Sequence, residues 1–245
     1  MFRLRRLAKK LIHIIRTLFI LLRRMDTPQK IAILGGTGNL GTGLAIRWAK
    51  VGHEIIIGSR TLAKAEKAVA DLKEISPQTE ALALENPDAA AAGDLVVLTV
   101  PAEHQISTLK SVQPGLTSKI LIDVTVPLVP PKVGTVQLPD VGSAGKRAQD
   151  FLGDEVQVVT AFQNVAAHLL QTDVQIECDV LVCGNKRAAR QTVIDLAKEA
   201  GMQAWHAGPI ENSAAAEALT SVLIQINRRH DISHSGVRIV GQDDH

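Results

Sequence analysis

A chain of 245 residues with 46% hydrophobic side chains and 18 glycines can bury a substantial α/β core, and its two cysteines, Cys178 and Cys183, exclude a disulfide scaffold or a metal-thiolate set. A reducing, cytoplasmic compartment is the simpler expectation. The formal charge of +2 conceals an asymmetry: residues 1–25 hold eight Lys and Arg and no acid, leaving −6 on residues 26–245, so the body gives no electrostatic case for binding nucleic acid.

The basic leader, residues 1–25, places Leu4, Leu7, Leu11, Ile14, Ile15, Leu18 and Leu22 in a broad helical stripe beside a cationic sector, a pattern suited to lying on an anionic membrane surface. Its apolar run is broken by His13, Arg16 and Thr17 and is too short for an uncomplicated crossing. Several readings stay open: a peripheral membrane contact through residues 1–24, an upstream start with Met25 the true first residue, an organellar targeting segment, or a helix packed onto the body. The first strand begins a few residues after Met25, so the body is expected to fold without the leader.

Strand-like and helical segments then alternate. Residues 30–35 read as a strand, 39–50 as a helix, 54–58 as a strand and 62–75 as a helix, followed by a short strand at 80–84 and an alanine-rich helical turn before Gly93. The nearly continuous apolar runs 94–100 and 119–126 suit strands of a parallel sheet covered on both faces. Beyond a proline-rich loop at 126–139, the pattern gives a helix at 144–151, strands at 156–162 and 176–183, a helix at 187–200, a strand at 202–206 and a long apolar-faced helix at 213–229. The expected fold is α/β, a doubly wound, mainly parallel sheet of Rossmann type. The organisation is a leader at 1–25, a nucleotide-binding domain at 26–165, a small C-terminal domain at 166–230 and a frayed tail at 231–245.

The first strand ends in Gly35-Gly-Thr-Gly-Asn-Leu-Gly41, in which Gly36, Gly38 and Gly41 form G-x-G-x-x-G. Gly36 would make the tight turn, Gly38 would admit a pyrophosphate against bare backbone, and Gly41 would let the helix pack close to the sheet. Phosphates would meet the helix's free N–H groups. The second strand ends in Ser59-Arg60, where an NAD enzyme would place an acid, and Lys64 follows one turn later. An acid there would repel a 2′-phosphate, whereas these donors would hold it, so the cofactor expected is NADP.

In doubly wound sheets the ligand crevice lies beyond the carboxyl ends of the strands. Thr99 and Val100 would pack beside a nicotinamide there, with Pro101 fixing the loop direction. His104 reads either as an acid or base or as a solvated helical-turn residue, and Asp123 as a carboxylate that could equally cap a turn. Ala161, Ala166 and Ala167 could leave room for a flat acceptor or be packing residues. Chemistry on the nicotinamide needs positioning more than a nucleophile relay. No nucleophile relay or compact metal motif emerges, and His230, Asp231 and His234 read as an exposed tail.

Residues 30–228 resemble the NADPH-dependent deazaflavin coenzyme reductases, the reduced coenzyme F420:NADP oxidoreductase family. The resemblance rests on Ile33-Leu-Gly-Gly-Thr-Gly-Asn-Leu-Gly41, Gly52-His-Glu-Ile-Ile-Ile-Gly-Ser-Arg60 with Lys64, Leu98-Thr-Val-Pro101 with His104, and Ala207-Gly-Pro-Ile-Glu-Asn-Ser213. It implies hydride exchange between nicotinamide C4 of NADP and C5 of the deazaflavin, a small C-terminal domain and a homodimer. By the same resemblance Thr37, Gly38, Asn39 and Leu40 cradle the pyrophosphate, Ser59, Arg60 and Lys64 hold the 2′-phosphate, and Thr99, Val100, Pro101 and Ala167 lie near the nicotinamide and its acceptor. The chain departs from the family pattern at Ala102, at Gln163-Asn164 and at Ala166. Two other readings stay open: a reductase of another planar redox acceptor, and a non-catalytic NADP-sensing, membrane-associated protein.

Overall fold

A computed structural model describes residues 28–241. The leader and the last four residues, with the readings made of them, lie outside the described residues.

Eight strands form one sheet in the order β3-β2-β1-β4-β5-β6-β7-β8. These are β1 (Lys30–Leu34), β2 (Glu54–Ser59), β3 (Ala81–Glu85), β4 (Leu95–Leu98), β5 (Ile120–Asp123), β6 (Gln157–Thr160), β7 (Val180–Gly184) and β8 (Ala204–Gly208). All neighbours run parallel except β6 and β7. The helices are α1 (Asn39–Lys50), α2 (Leu62–Ile75), α3 (Asn86–Ala92), α4 (Gln105–Val112), α5 (Ala144–Leu152), α6 (Ala167–Leu170), α7 (Arg187–Glu199) and α8 (Ser213–His230).

Strand geometry turns successive side chains to opposite faces, and β1 shows the consequence directly. Ile31 and Ile33 join a core with Leu44 and Trp48 of α1, Leu72 of α2 and Val193 of α7. Ala32 and Leu34 join a second core with Ala89 of α3, Leu109 of α4 and Ala148 of α5. Both faces of the sheet are covered, which is why its strands read as unbroken apolar runs. Residues beyond 165 extend the same sheet: β7 enters antiparallel to β6, and α7 returns the chain to β8.

Several strands are shorter than the apolar runs that predicted them, because pairing stops where the chain turns into the crevice. The run 94–100 pairs only over Leu95–Leu98, and the run 119–126 only over Ile120–Asp123. The run 156–162 ends in Phe162, a fully buried residue with φ of 69°, a left-handed conformation that is strained for a bulky side chain. Trp48 packs edge-on against it at 6.0 Å between ring centroids and is itself tied through Nε1 to Leu196 O at 2.9 Å.

The tail is not frayed over its described length. Asp179 N donates to Val237 O at 2.7 Å, Ile239 N to Asp179 Oδ2 at 2.8 Å, and Ser235 N to Asn227 Oδ1 at 3.1 Å. These bonds dock 232–239 against the segment before β7, so 176–179 is held by the tail instead of joining the strand. His234 is exposed, as expected, and its Nε2 stands 2.8 Å from His168 Nε2.

Candidate functional site

The strand order reverses between β1 and β4, since β1 continues leftward to β2 and β4 rightward to β5. That switch point is where open α/β sheets form a ligand crevice. The glycine turn leaves β1 at this place and Thr99-Val100 leave β4 beside it. Thr99 donates through both N and Oγ1 to Leu34 O at 2.9 Å, fixing the two strand ends together.

Each glycine of the turn has its own cause. The tight turn falls on Gly35, with φ of 71°, rather than on Gly36, which was expected to make it. Gly36 is small for another reason: a Cβ there would stand 2.7 Å from Ile33 O, while its N–H reaches Ile33 O and Gly58 O. A Cβ on Gly41 would meet Gly36 Cα and Thr99 Oγ1, each at 2.8 Å, so only glycine lets α1 close on the turn. Gly38 differs, because a Cβ there would meet nothing nearer than Gly35 O at 3.6 Å. Among the described residues no atom demands glycine at 38, and the open approach fits a diphosphate laid on the backbone. Gly38 is also the N-cap of α1, whose first turn holds no acid and no side-chain cap. The N–H groups of that turn, around Asn39, Leu40 and Gly41, are left by helical geometry without intrahelical acceptors.

At the end of β2, Ser59 is buried, whereas Arg60 and Lys64 are solvent-facing. Among the described residues neither cation has a hydrogen bond or ion pair, and α2, which starts at Leu62, has no acid in its first turn and no side-chain cap. Glu85, at the end of β3, stands in register beside Ser59, a carboxylate that the sequence pattern did not reveal. Two free cations and a helix start outweigh it as a setting for a phosphate dianion.

Across the crevice, Val100 packs on the turn, since a Cβ on Gly35 would meet Val100 Cγ1 at 2.8 Å. Pro101 precedes a 3-10 turn, Ala102–His104, whose His104 is half exposed and 3.6 Å from Glu103 Oε1. Among the described residues no hydrogen bond joins that imidazole to the glycine turn. Asp123 resolves as a turn cap: fully buried, it accepts from Thr125 N at 2.9 Å and from Gln105 Nε2, and burial pushes its carboxyl above the usual range. Gln163 and Asn164 are structural ties as well. Gln163 Nε2 donates to Asp123 O at 3.1 Å, and Asn164 Nδ2 to Ala216 O at 2.9 Å and Thr220 Oγ1 at 3.0 Å. Ala167 opens α6, and its carbonyl would lie 3.1 Å from a Cβ on Gly43 of α1, so α6 is seated directly on α1.

Fold and site together define a dinucleotide-dependent oxidoreductase of the Rossmann class, with features that suit NADP. The family model "NADP oxidoreductase coenzyme F420-dependent" matches residues 30–127. An F420-dependent NADP reductase of Methanocaldococcus jannaschii is 43% identical over 220 residues, covering 86% of this chain and 98% of that protein. Its counterpart in Methanothermobacter thermautotrophicus is 41% identical over 220 residues, covering 86% and 94%. A solved structure from Arthrobacter sp. FB24, provisionally described as an F420-dependent NADP reductase, superposes with a TM-score of 0.74 at 27% identity, covering 87% of this chain and all of that one. The chain belongs to the F420-dependent NADP reductase family.

Proposed function

We propose that this protein exchanges hydride between NADP and the deazaflavin coenzyme F420, with the dinucleotide lying across the β1–β4 switch point. The observation that carries the reading is the convergence there of an open glycine turn, two unpaired cations and the Thr99-Val100 strand end, in a chain of this family. The nicotinamide supplies the hydride chemistry, so the protein's task is to hold donor and acceptor carbons close and keep water out. In this reading Gly36, Thr37, Gly38, Asn39, Leu40 and Gly41 receive the pyrophosphate, and Ser59, Arg60 and Lys64 the 2′-phosphate. Thr99, Val100, Pro101 and Ala167 border the nicotinamide and its partner ring. The direct test is an anaerobic assay of NADPH with purified deazaflavin: one NADPH consumed per deazaflavin reduced supports the assignment, and NADPH binding without turnover removes it.

Arg60→Ala is expected to weaken NADPH binding by about 1–3 kcal/mol, the usual worth of a hydrogen bond to a charged group, while leaving NADH binding nearly unchanged. Calorimetric titration with both cofactors checks it. Equal losses for the two would place Arg60 away from the 2′-phosphate.

The finer reading adds a homodimer and peripheral membrane contact through residues 1–24. Solvent-facing Val129, Val136 and Val141 on the loop after β5, with Val222 on α8, support the first, and the eight cations of the leader support the second. Among the described residues no helix is long and apolar enough to cross a membrane. Light scattering, and co-sedimentation with anionic vesicles of the full chain against one starting at Met25, test the two. A monomer, or vesicle binding that survives removal of the leader, would overturn the respective assignment.

A further inference from the structure

We propose that one stripe of the nucleotide-binding helix α1 is the bed that fixes the acceptor-side turn α6, and that Arg47 and Gln171 are positioning residues for hydride transfer. The proposal rests on the reading of Ala167 as a residue beside the nicotinamide and its acceptor. Asn39, Gly43 and Arg47 follow one another at intervals of four, so they line one face of α1. All three touch the same short segment. Gln171 Nε2 donates to Asn39 O at 3.1 Å, at the helix end that receives phosphate. A Cβ on Gly43 would stand 2.5 Å from Leu170 Cβ, so glycine is what lets α6 sit against α1. Arg47 then donates to four carbonyls: through Nε to Leu170 O at 3.0 Å, and through Nη2 to Leu169 O at 3.1 Å, Thr172 O at 2.6 Å and Val174 O at 2.9 Å. Lys50, one turn further, pairs with Asp173.

Helix α6 has four residues, too few to hold itself in water. Leu169 O also accepts from Thr172 N at 3.2 Å and Thr172 Oγ1 at 2.9 Å, whereas for Leu170 O, the last carbonyl of the helix, and for Thr172 O and Val174 O beyond it the planar guanidinium of Arg47 supplies the donors. Arg47 lies about 12 Å along the helix axis from Asn39, at the far end from the phosphates. Its effect on chemistry therefore passes through Ala167. A rigid link between α1 and α6 sets the place of Ala167 relative to the dinucleotide bound at the start of the same helix. Transfer between two carbons is steeply sensitive to such placement, with a misplacement of about 1 Å able to cost on the order of a hundredfold.

The test uses Arg47→Lys, which keeps the charge and loses the fork, and Gln171→Leu at an exposed position that leaves the core untouched. Each is measured for NADPH Kd, for the single-turnover rate of hydride transfer to the deazaflavin, and for amide hydrogen exchange with and without NADPH. Expected are a Kd within about twofold of wild type and a transfer rate lower by about tenfold in Arg47→Lys and about threefold in Gln171→Leu. NADPH should slow exchange at both 38–42 and 167–172 in the wild type, but only at 38–42 in the variants. An unchanged transfer rate in a variant that has lost the protection at 167–172 would overturn the proposal, as would a Kd that worsens in step with the rate. Should Arg47→Lys not fold, Gln171→Leu decides alone by the same criteria. If the wild-type protein reduces no deazaflavin, the functional reading fails by itself, and exchange at 167–172 still decides whether α1 and α6 are linked.

Discussion

Gly41→Ala is expected to cost the protein both stability and cofactor, whereas Gly38→Ala, three residues earlier, should cost only the cofactor. A methyl group on residue 41 would lie 2.8 Å from Gly36 Cα, 3.2 Å from Gly36 C and 2.8 Å from Thr99 Oγ1. None of these can swing away, because two are backbone and the hydroxyl is held on Leu34 O. Helix α1 must back off from the turn, an overpacking strain of about 1–3 kcal/mol in the fold. Its leading N–H groups move with it, so NADPH affinity should fall by about five- to a hundredfold, the scale of that same strain expressed in binding. On residue 38 the methyl meets only Gly35 O at 3.6 Å, and the backbone there is extended, with φ of −86° and ψ of 162°. Chemical denaturation should place Gly38→Ala close to wild type, because the poorer N-cap propensity of alanine, about 0.5–1 kcal/mol, is offset by the roughly 0.4–1 kcal/mol gained from a stiffer unfolded chain. Its NADPH titration should nonetheless show a large loss if the diphosphate passes over residue 38 as proposed. Wild-type affinity in Gly38→Ala would mean that the diphosphate does not lie on that backbone.

What could be read from the chain, and what could not, follows from the range of the interactions. Helices α1 and α2 begin and end at the residues their spacing predicts, 39–50 and 62–75, because their limits are set locally by Gly38, Gly52 and Thr61. The doubly wound sheet was legible because runs such as 94–100 must be buried on both faces. Arg47 was not legible as anything but a charged position on a helix, since the four carbonyls it holds lie more than 120 residues away in the chain. Phe162 carries no sequence mark of its left-handed backbone, which Trp48 and the surrounding core impose. The tail misled for a related reason. Glycine, histidine and aspartate have no apolar period, yet Gly236 is needed where a Cβ would stand 2.8 Å from Cys178 Cβ. In the glycine turn, motif spacing pointed to Gly36, but the positive φ belongs to its neighbour Gly35. A spacing rule cannot separate adjacent glycines whose reasons are a dihedral angle in one and a carbonyl contact in the other.

Glu217 gives the fold a dependence on pH that its place in α8 explains. Only 1% exposed, it reaches from α8 to the start of α5 and accepts Ala144 N at 2.7 Å and Gly145 N at 2.9 Å. Ser143, the N-cap of α5, accepts Lys146 N at 2.9 Å and meets Ser213 Oγ at 2.7 Å, so the same helix start is held twice from α8. Burial raises the Glu217 carboxyl to about 7 from an ordinary 4.5, and Asp123 nearby adds to the rise, against the two amide donors that favour the anion. Below pH 4.5 the group is protonated folded or unfolded, and it contributes no pH dependence. Between that pH and 7 the unfolded chain ionises while the folded one keeps its proton, so stability falls as pH rises, by about 1.4 kcal/mol per unit and about 3 kcal/mol in all. Above 7 both forms are ionised and the loss levels off. Glu217→Gln keeps the shape and one acceptor, loses one amide contact worth about 1 kcal/mol, and cannot ionise. The variant should therefore be less stable than wild type near pH 4.5 and gain on it steadily up to about pH 7.5, overtaking it before neutrality. Guanidinium denaturation of both proteins at half-unit steps measures the difference, which cancels the contribution of Asp123 and every other shared group. A stability difference that stays flat from pH 4.5 to 7.5 would show that Glu217 is ionised in the fold throughout, and that the two amides of α5 outweigh its burial.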